Sequence, residues 1–151
     1  MDTIRITTRR YTFEVVREAS VEYRRAVGSP QEAADIARSL IGAELSEVVI
    51  VIMLDARNRV MGYTEVSRGT VNASRLTARD VFLPALLSNA CSVVAAHNHP
   101  SGDRLPSAAD HRVTQALREA GELLGLPLLD HLIVTDAAHY SFRDTGGWDG
   151  V

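Results

Sequence analysis

Two histidines and an aspartate stand close together in the middle of the chain. The stretch reads His97-Asn98-His99-Pro100-Ser101-Gly102-Asp103, then Pro106-Ser107 and Asp110. The apolar run Ser92–Ala96 leads straight into His97 and predicts a short strand. A period of two then places both imidazoles on one face. Pro100, Gly102 and Pro106 predict a loop that turns the chain back. Asp110 arrives in the first turn of the helix that Ser107 caps. Two imidazoles and one carboxylate are the usual protein share of a catalytic zinc centre, with a fourth position left for water. Zinc can lower the pKa of that water to about 7. Each residue also has a plainer reading. A histidine at a strand end is commonly a satisfied polar group. An acid three residues after a serine N-cap favours the helix dipole and needs no metal.

The elements that must position these side chains follow from pattern. Residues 3–17 mix β-branched residues with arginines and predict an N-terminal strand. Gly28-Ser29-Pro30-Gln31-Glu32 is a helix start, with Ser29 as N-cap, Pro30 at the first helical position and Glu32 completing a capping box. That helix runs to about Ile41 or Gly42. Val48–Leu54 is a continuous apolar run and predicts a buried central strand. The polar turn Asp55–Arg59 joins it to a second strand, Val60–Arg68, as a hairpin. Thr77-Ala78-Arg79-Asp80 starts a helix whose expected apolar face is Val81, Leu83, Leu86, Leu87 and Ala90. The helix after Ser107 extends to about Leu124 and is closed by Gly125. Leu128–Thr135 and Tyr140–Phe142 are further strands, and Gly146-Gly147-Trp148 reads as a loose tail. The order β-α-β-β-α-β-α-β-β predicts one α/β domain with a mixed sheet flanked by helices. The expected division is an extension over 1–28, the domain over 29–147 and a tail over 148–151.

The loop pattern resembles the JAMM signature of the JAB/MPN metalloprotease family: His-x-His-Pro, then Ser-x-x-Asp, with a glutamate upstream. More narrowly, His-Asn-His-Pro-Ser-Gly-Asp with Pro-Ser-x-x-Asp is similar to the RadC branch. Leu54-Asp55, Arg68-Gly69-Thr70, Arg79, Asn89-Ala90, Gly121, Leu129-Asp130-His131 and Tyr140-Ser141-Phe142 carry the likeness beyond the loop, over roughly residues 30–147. The resemblance implies a three-layer, cytidine-deaminase-like arrangement and one zinc ion per chain. In it His97, His99 and Asp110 are the ligands. Glu47 matches the upstream glutamate, the general base that later returns a proton to the leaving amine. Glu44, within one turn of it, is the competing candidate. Ser107 matches the serine that steadies the tetrahedral oxyanion. The implied activity is zinc-dependent hydrolysis of a peptide or isopeptide amide, with a polypeptide or other amide-containing substrate as partner. The resemblance also implies a stand-alone catalytic domain, without the family's helix-hairpin-helix region.

Other residues carry weaker signals. Asp103 reads either as an acceptor behind a ligand or as an exposed turn acid. His131 reads either as a neighbour of the site or as a buried histidine with its own partner. His111 follows Asp110 and is expected to face solvent. Cys91 is expected to be buried and inert. Ser101 lacks the strained glycine-flanked turn of a serine nucleophile.

Composition narrows the class. The chain has 151 residues, 46% hydrophobic and 23% charged, the balance of a globular domain able to bury a core. All 16 basic residues are arginine. If the enzyme cuts isopeptides, the lysine side of the substrate must therefore come from another chain. Net charge is −3, against a role resting on phosphate neutralisation. A RadC-type DNA-repair or mobile-element binding module, or a protein-interaction scaffold, is the alternative, and nucleic acid is not the favoured partner. A single cysteine and charges that break any N-terminal apolar core predict a cytoplasmic protein. The longest apolar run is far below the roughly 20 residues that span a bilayer, so no membrane association is expected.

Overall fold

The computed structural model describes residues 26–69, 76–146 and 148. The strand expected within 3–17 lies outside them. Ser29 caps helix α1 (Pro30–Ile41): its side chain accepts from the Glu32 amide, while Glu32 Oε2 accepts from the Gly28 amide at 2.7 Å. Strands β1 (Val48–Leu54) and β2 (Val60–Arg68) form the expected antiparallel hairpin. Asn58 takes a left-handed φ of 57° in the turn between them, a conformation Asn tolerates better than most residues. Helix α2 spans Ala78–Leu87 and starts with a complete capping box between Thr77 and Asp80. Strand β3 (Ser92–Asn98), helix α3 (Ala108–Leu124), strand β4 (Leu128–Val134) and strand β5 (His139–Ser141) complete the order.

The strands form one mixed sheet in the order β2-β1-β3-β4-β5. Among the described strands only β3 and β4 are parallel, joined by the α3 crossover. Every residue of β1 and β3 is buried, so both faces must be covered. Alternation assigns the faces. Val48, Ile50, Ile52 and Leu54 pack with Val94, Ala96, Leu132 and Val134 against α1. Val51, Met53, Val93 and Ala95 pack against Val81, Phe82 and Leu117 of α2 and α3. The result is three layers, helix on sheet on helices. His97 continues the Val93–Ala95 parity toward α3, whereas Asn98 continues the Val94–Ala96 parity toward α1.

α3 comes close to its neighbours at Gly121. A Cβ on Gly121 would lie 2.8 Å from the Leu126 carbonyl oxygen and 3.1 Å from Phe82, so only glycine lets the helix sit this near β4 and α2. Gly125 ends α3 in the left-handed conformation, as expected.

Three expectations are corrected. The buried face of α2 is Val81, Phe82 and Ala85, while Leu83, Leu86 and Leu87 are exposed. The helix carries two apolar stripes, and the one at i, i+1 and i+4 meets the core. Cys91 is exposed rather than buried: it lies one residue before β3, and although its amide bonds the Leu54 carbonyl at 2.8 Å its side chain is not covered. Trp148 is not loose: it packs on the α2–α3 core, with the Arg118 guanidinium 4.4 Å from its ring centroid.

Candidate metal centre

The site forms where β3 ends and α3 begins. β3 carries His97 on the face covered by α3, and His99 follows just past its end. The loop after β3 returns the chain, and the N-terminal turn of α3 presents Asp110. Glu47 precedes β1, whose Val49 pairs with His97 across the antiparallel ladder. Four sequence-predicted residues thus converge from three elements.

The two ring Nε2 atoms of His97 and His99 lie 3.1 Å apart. Asp110 reaches both, with Oδ1 3.4 Å from His97 Nε2 and Oδ2 3.8 Å from His99 Nε2. Glu47 Oε1 lies 3.9 Å from His97 Nε2. Glu47, His97 and His99 have donor atoms within 4.8 Å of one another. These side chains line a pocket of about 190 Å³, whose remaining wall includes Val49, Leu76, Ala109 and Val113. A larger open depression of about 460 Å³ along Ser39–Ser46 contains none of the histidines.

Proton accounting tests whether these donors fit a cation. His99 Nδ1 is 2.7 Å from the Asp103 carbonyl oxygen, which can only accept. The His99 proton therefore sits on Nδ1, and Nε2 is a bare lone pair in the neutral ring. Thr114 Oγ1 donates its single proton to the Asp110 carbonyl at 2.7 Å. It can then only accept from His131 Nδ1, 2.6 Å away. His131 Nε2 is left bare and accepts from His97 Nδ1 at 2.9 Å. The His97 Nε2 is bare as well. Two lone pairs 3.1 Å apart repel unless a cation lies between them. Tetrahedral zinc with bonds of about 2.0–2.1 Å would hold two nitrogens about 3.3 Å apart. The donor set fits zinc.

Electrostatics agree with neutral rings. Burial, then the neighbouring His131 and His99, holds His97 well below the usual imidazole range. Burial brings His131 down to about 4. Burial also pushes the Glu47 carboxyl up, against the pull of His99 and with the help of the Asp110 charge. Glu44 is in a different situation. It is tied to Arg68 at 2.8 Å, and this pairing lowers its pKa.

Ser107 caps α3: its Oγ donates to Asp110 Oδ2 at 2.8 Å and accepts from the Asp110 amide at 3.1 Å. Asp103 serves His99 through its backbone carbonyl, while its side chain is an exposed turn acid accepting from the Leu105 amide. His131 is buried and stands at the site, behind His97. His111 does not face solvent freely: its Nδ1 is buried without a partner, and its ring meets Phe142 edge-on.

One positioning residue was missed. Asn98 lies between the two histidines and points to the opposite face. Its Oδ1 accepts from the Val48 amide at 2.7 Å, and its Nδ2 donates to the Glu44 and Ser46 carbonyls. It thereby clamps the segment that carries Glu47 to the end of β3, between His97 and His99. A polar residue at a position whose parity is otherwise apolar was the available signal.

A family model described as the RadC-like JAB domain matches residues 27–148. A UPF0758 protein of Trichlorobacter lovleyi is 41% identical over 118 residues, which is 78% of this chain and 51% of that protein. A UPF0758 protein of Chromobacterium violaceum is 41% identical over 136 residues, covering 88% and 61% of the two chains. One from Thermotoga maritima is 45% identical over 100 residues, covering 66% and 45%. The chain spans about half the length of the curated relatives it matches.

Proposed function

The chain belongs to the RadC-like JAB domain family, and from that premise we propose that it is a zinc-dependent hydrolase of peptide or isopeptide amide bonds. The observation that carries the reading is the convergence of His97 Nε2 and His99 Nε2, 3.1 Å apart, with Asp110 oxygens 3.4 and 3.8 Å from them and Glu47 Oε1 3.9 Å from His97 Nε2. His97, His99 and Asp110 would hold the ion. Zinc supplies Lewis-acid chemistry there, polarising a carbonyl and making water a usable nucleophile near neutral pH.

The chain's own residues do the rest. Glu47 is half-buried, and its raised pKa suits a group that takes a proton and gives it back. Glu47 Oε1 accepts the proton that water loses on attacking the amide carbon, then returns it to the leaving nitrogen. The half-buried pocket limits access of bulk water, and Val49, Leu76, Ala109 and Val113 give it an apolar wall. Ser107 stands at the positive end of the α3 dipole. When its Oγ–H turns from Asp110 toward the substrate, it steadies the oxyanion.

The test compares wild type with Glu47→Gln, both loaded with zinc, on fluorogenic peptides and on a lysine ε-amide probe. Wild type is expected to turn over at least one. Glu47→Gln is expected to keep its zinc and lose about 10²–10⁴-fold in rate. Hydrolysis by the variant at the wild-type rate would remove Glu47 as the base.

A further inference from the structure

We propose that Thr114 and His131 are positioning residues for this centre: they hold the His97 proton on Nδ1, and so keep its Nε2 open to a metal. This inference rests on the metallohydrolase reading above and adds two side chains to it.

His97 Nε2 and His99 Nε2 are within hydrogen-bond distance of one another. His99 is locked with its proton on Nδ1 by the Asp103 carbonyl. A free His97 could move its own proton to Nε2 and donate it to His99. That contact would close the site on itself and block both lone pairs. The metal would then have to break a buried hydrogen bond and displace a proton before binding.

The relay behind His97 prevents this. Its anchor is a backbone carbonyl, the Asp110 oxygen, which cannot exchange donor and acceptor roles. From that fixed end each bond has one direction: Thr114 to Asp110, His131 to Thr114, His97 to His131. A threonine bonding its i−4 carbonyl is ordinary within a helix. What is not ordinary is the second partner, the buried His131 ring, reached at 2.6 Å from another element. Topology makes the relay possible. β3 and β4 are parallel neighbours, with His131 opposite Ala95, and Thr114 lies one turn beyond Asp110 on α3. The same hydroxyl therefore ties the helix turn that presents Asp110 to the proton state of His97. His131 is stacked on Phe142, with ring planes 11° apart, which holds the ring in the relay plane.

The test uses the full chain and two nearly isosteric variants. Thr114→Val removes the hydroxyl, and Thr114→Ser keeps it. Zinc affinity is measured by competition with a chelator. Histidine ring protonation is read from ¹⁵N–¹H spectra of the metal-free proteins. Thr114→Val is expected to bind zinc about 10–100-fold more weakly, the usual effect of losing a partner behind a ligand. Its His97 Nε2 is expected to gain proton occupancy. Thr114→Ser is expected to restore both. If Thr114→Val does not fold, the wild-type spectrum decides alone: His97 and His131 must both carry their protons on Nδ1. A wild-type His97 protonated on Nε2 would overturn the inference. So would a Thr114→Val variant that binds zinc as tightly as wild type, and that result would leave the metallohydrolase reading standing. A wild type that takes up no zinc would overturn the reading, and this inference with it.

Discussion

Ser107 is the side chain whose two roles compete. Its hydroxyl closes the capping box of α3 and holds Asp110 Oδ2 at 2.8 Å, yet the proposed chemistry needs the same proton on an oxyanion. Ser107→Ala separates them. If the hydroxyl steadies the oxyanion, kcat at saturating zinc falls by about 10²–10³-fold. If it only holds Asp110, zinc affinity falls and excess zinc restores kcat. The account predicts the first result. At this scale the convergence of His97, His99 and Asp110 was legible because the chemistry restricts residue type and the strand restricts parity. The sequence favoured Glu47 through its match to the family's upstream glutamate but left Glu44 as a competitor, since both stand just ahead of β1. The fold separates them through Arg68, which engages Glu44 and leaves Glu47 facing His97. His131 was undecidable for a related reason. Its partners come from β3 and α3, and no local pattern records a contact across a parallel ladder.

Among elements, the junction of β1 and β3 does most to build the centre. Asn98 satisfies the buried Val48 amide and the carbonyls of residues 44 and 46, so the segment bearing Glu47 has one seat. Asn98→Ala leaves those groups unpaired in the interior. The expected cost is about 1–3 kcal/mol of stability, read as a lower urea midpoint, together with a loss of turnover larger than the loss of zinc affinity. Unchanged turnover in a folded variant would show that Glu47 does not need the clamp. Strand and helix limits were legible wherever caps or turns marked them, as at Ser29, Thr77, Ser107 and Gly125. The burial of α2 was not. Its sequence offers two apolar stripes, and hydrophobicity alone cannot say which one the sheet covers. Trp148 was not legible as packed because its seat on Arg118 and the α2–α3 core is made by residues thirty to nearly seventy positions away.

At the scale of the whole molecule, three layers bury two neutral histidines behind a carboxylate-lined opening. The sheet order puts the end of β3 beside the segment before β1, and the α3 crossover brings Asp110 back to the same place. Among the described residues, no helix is long and apolar enough to cross a membrane. The RadC-like JAB domain match covers residues 27–148 and so includes every residue that lines this opening. The account stands first on the metal. Zinc content per chain, measured on wild type and Asp110→Ala purified without chelator, tests it most directly. The predicted result is about one zinc per wild-type chain and strongly reduced occupancy in the variant. A wild type without zinc, or an Asp110→Ala variant with undiminished zinc, would contradict it.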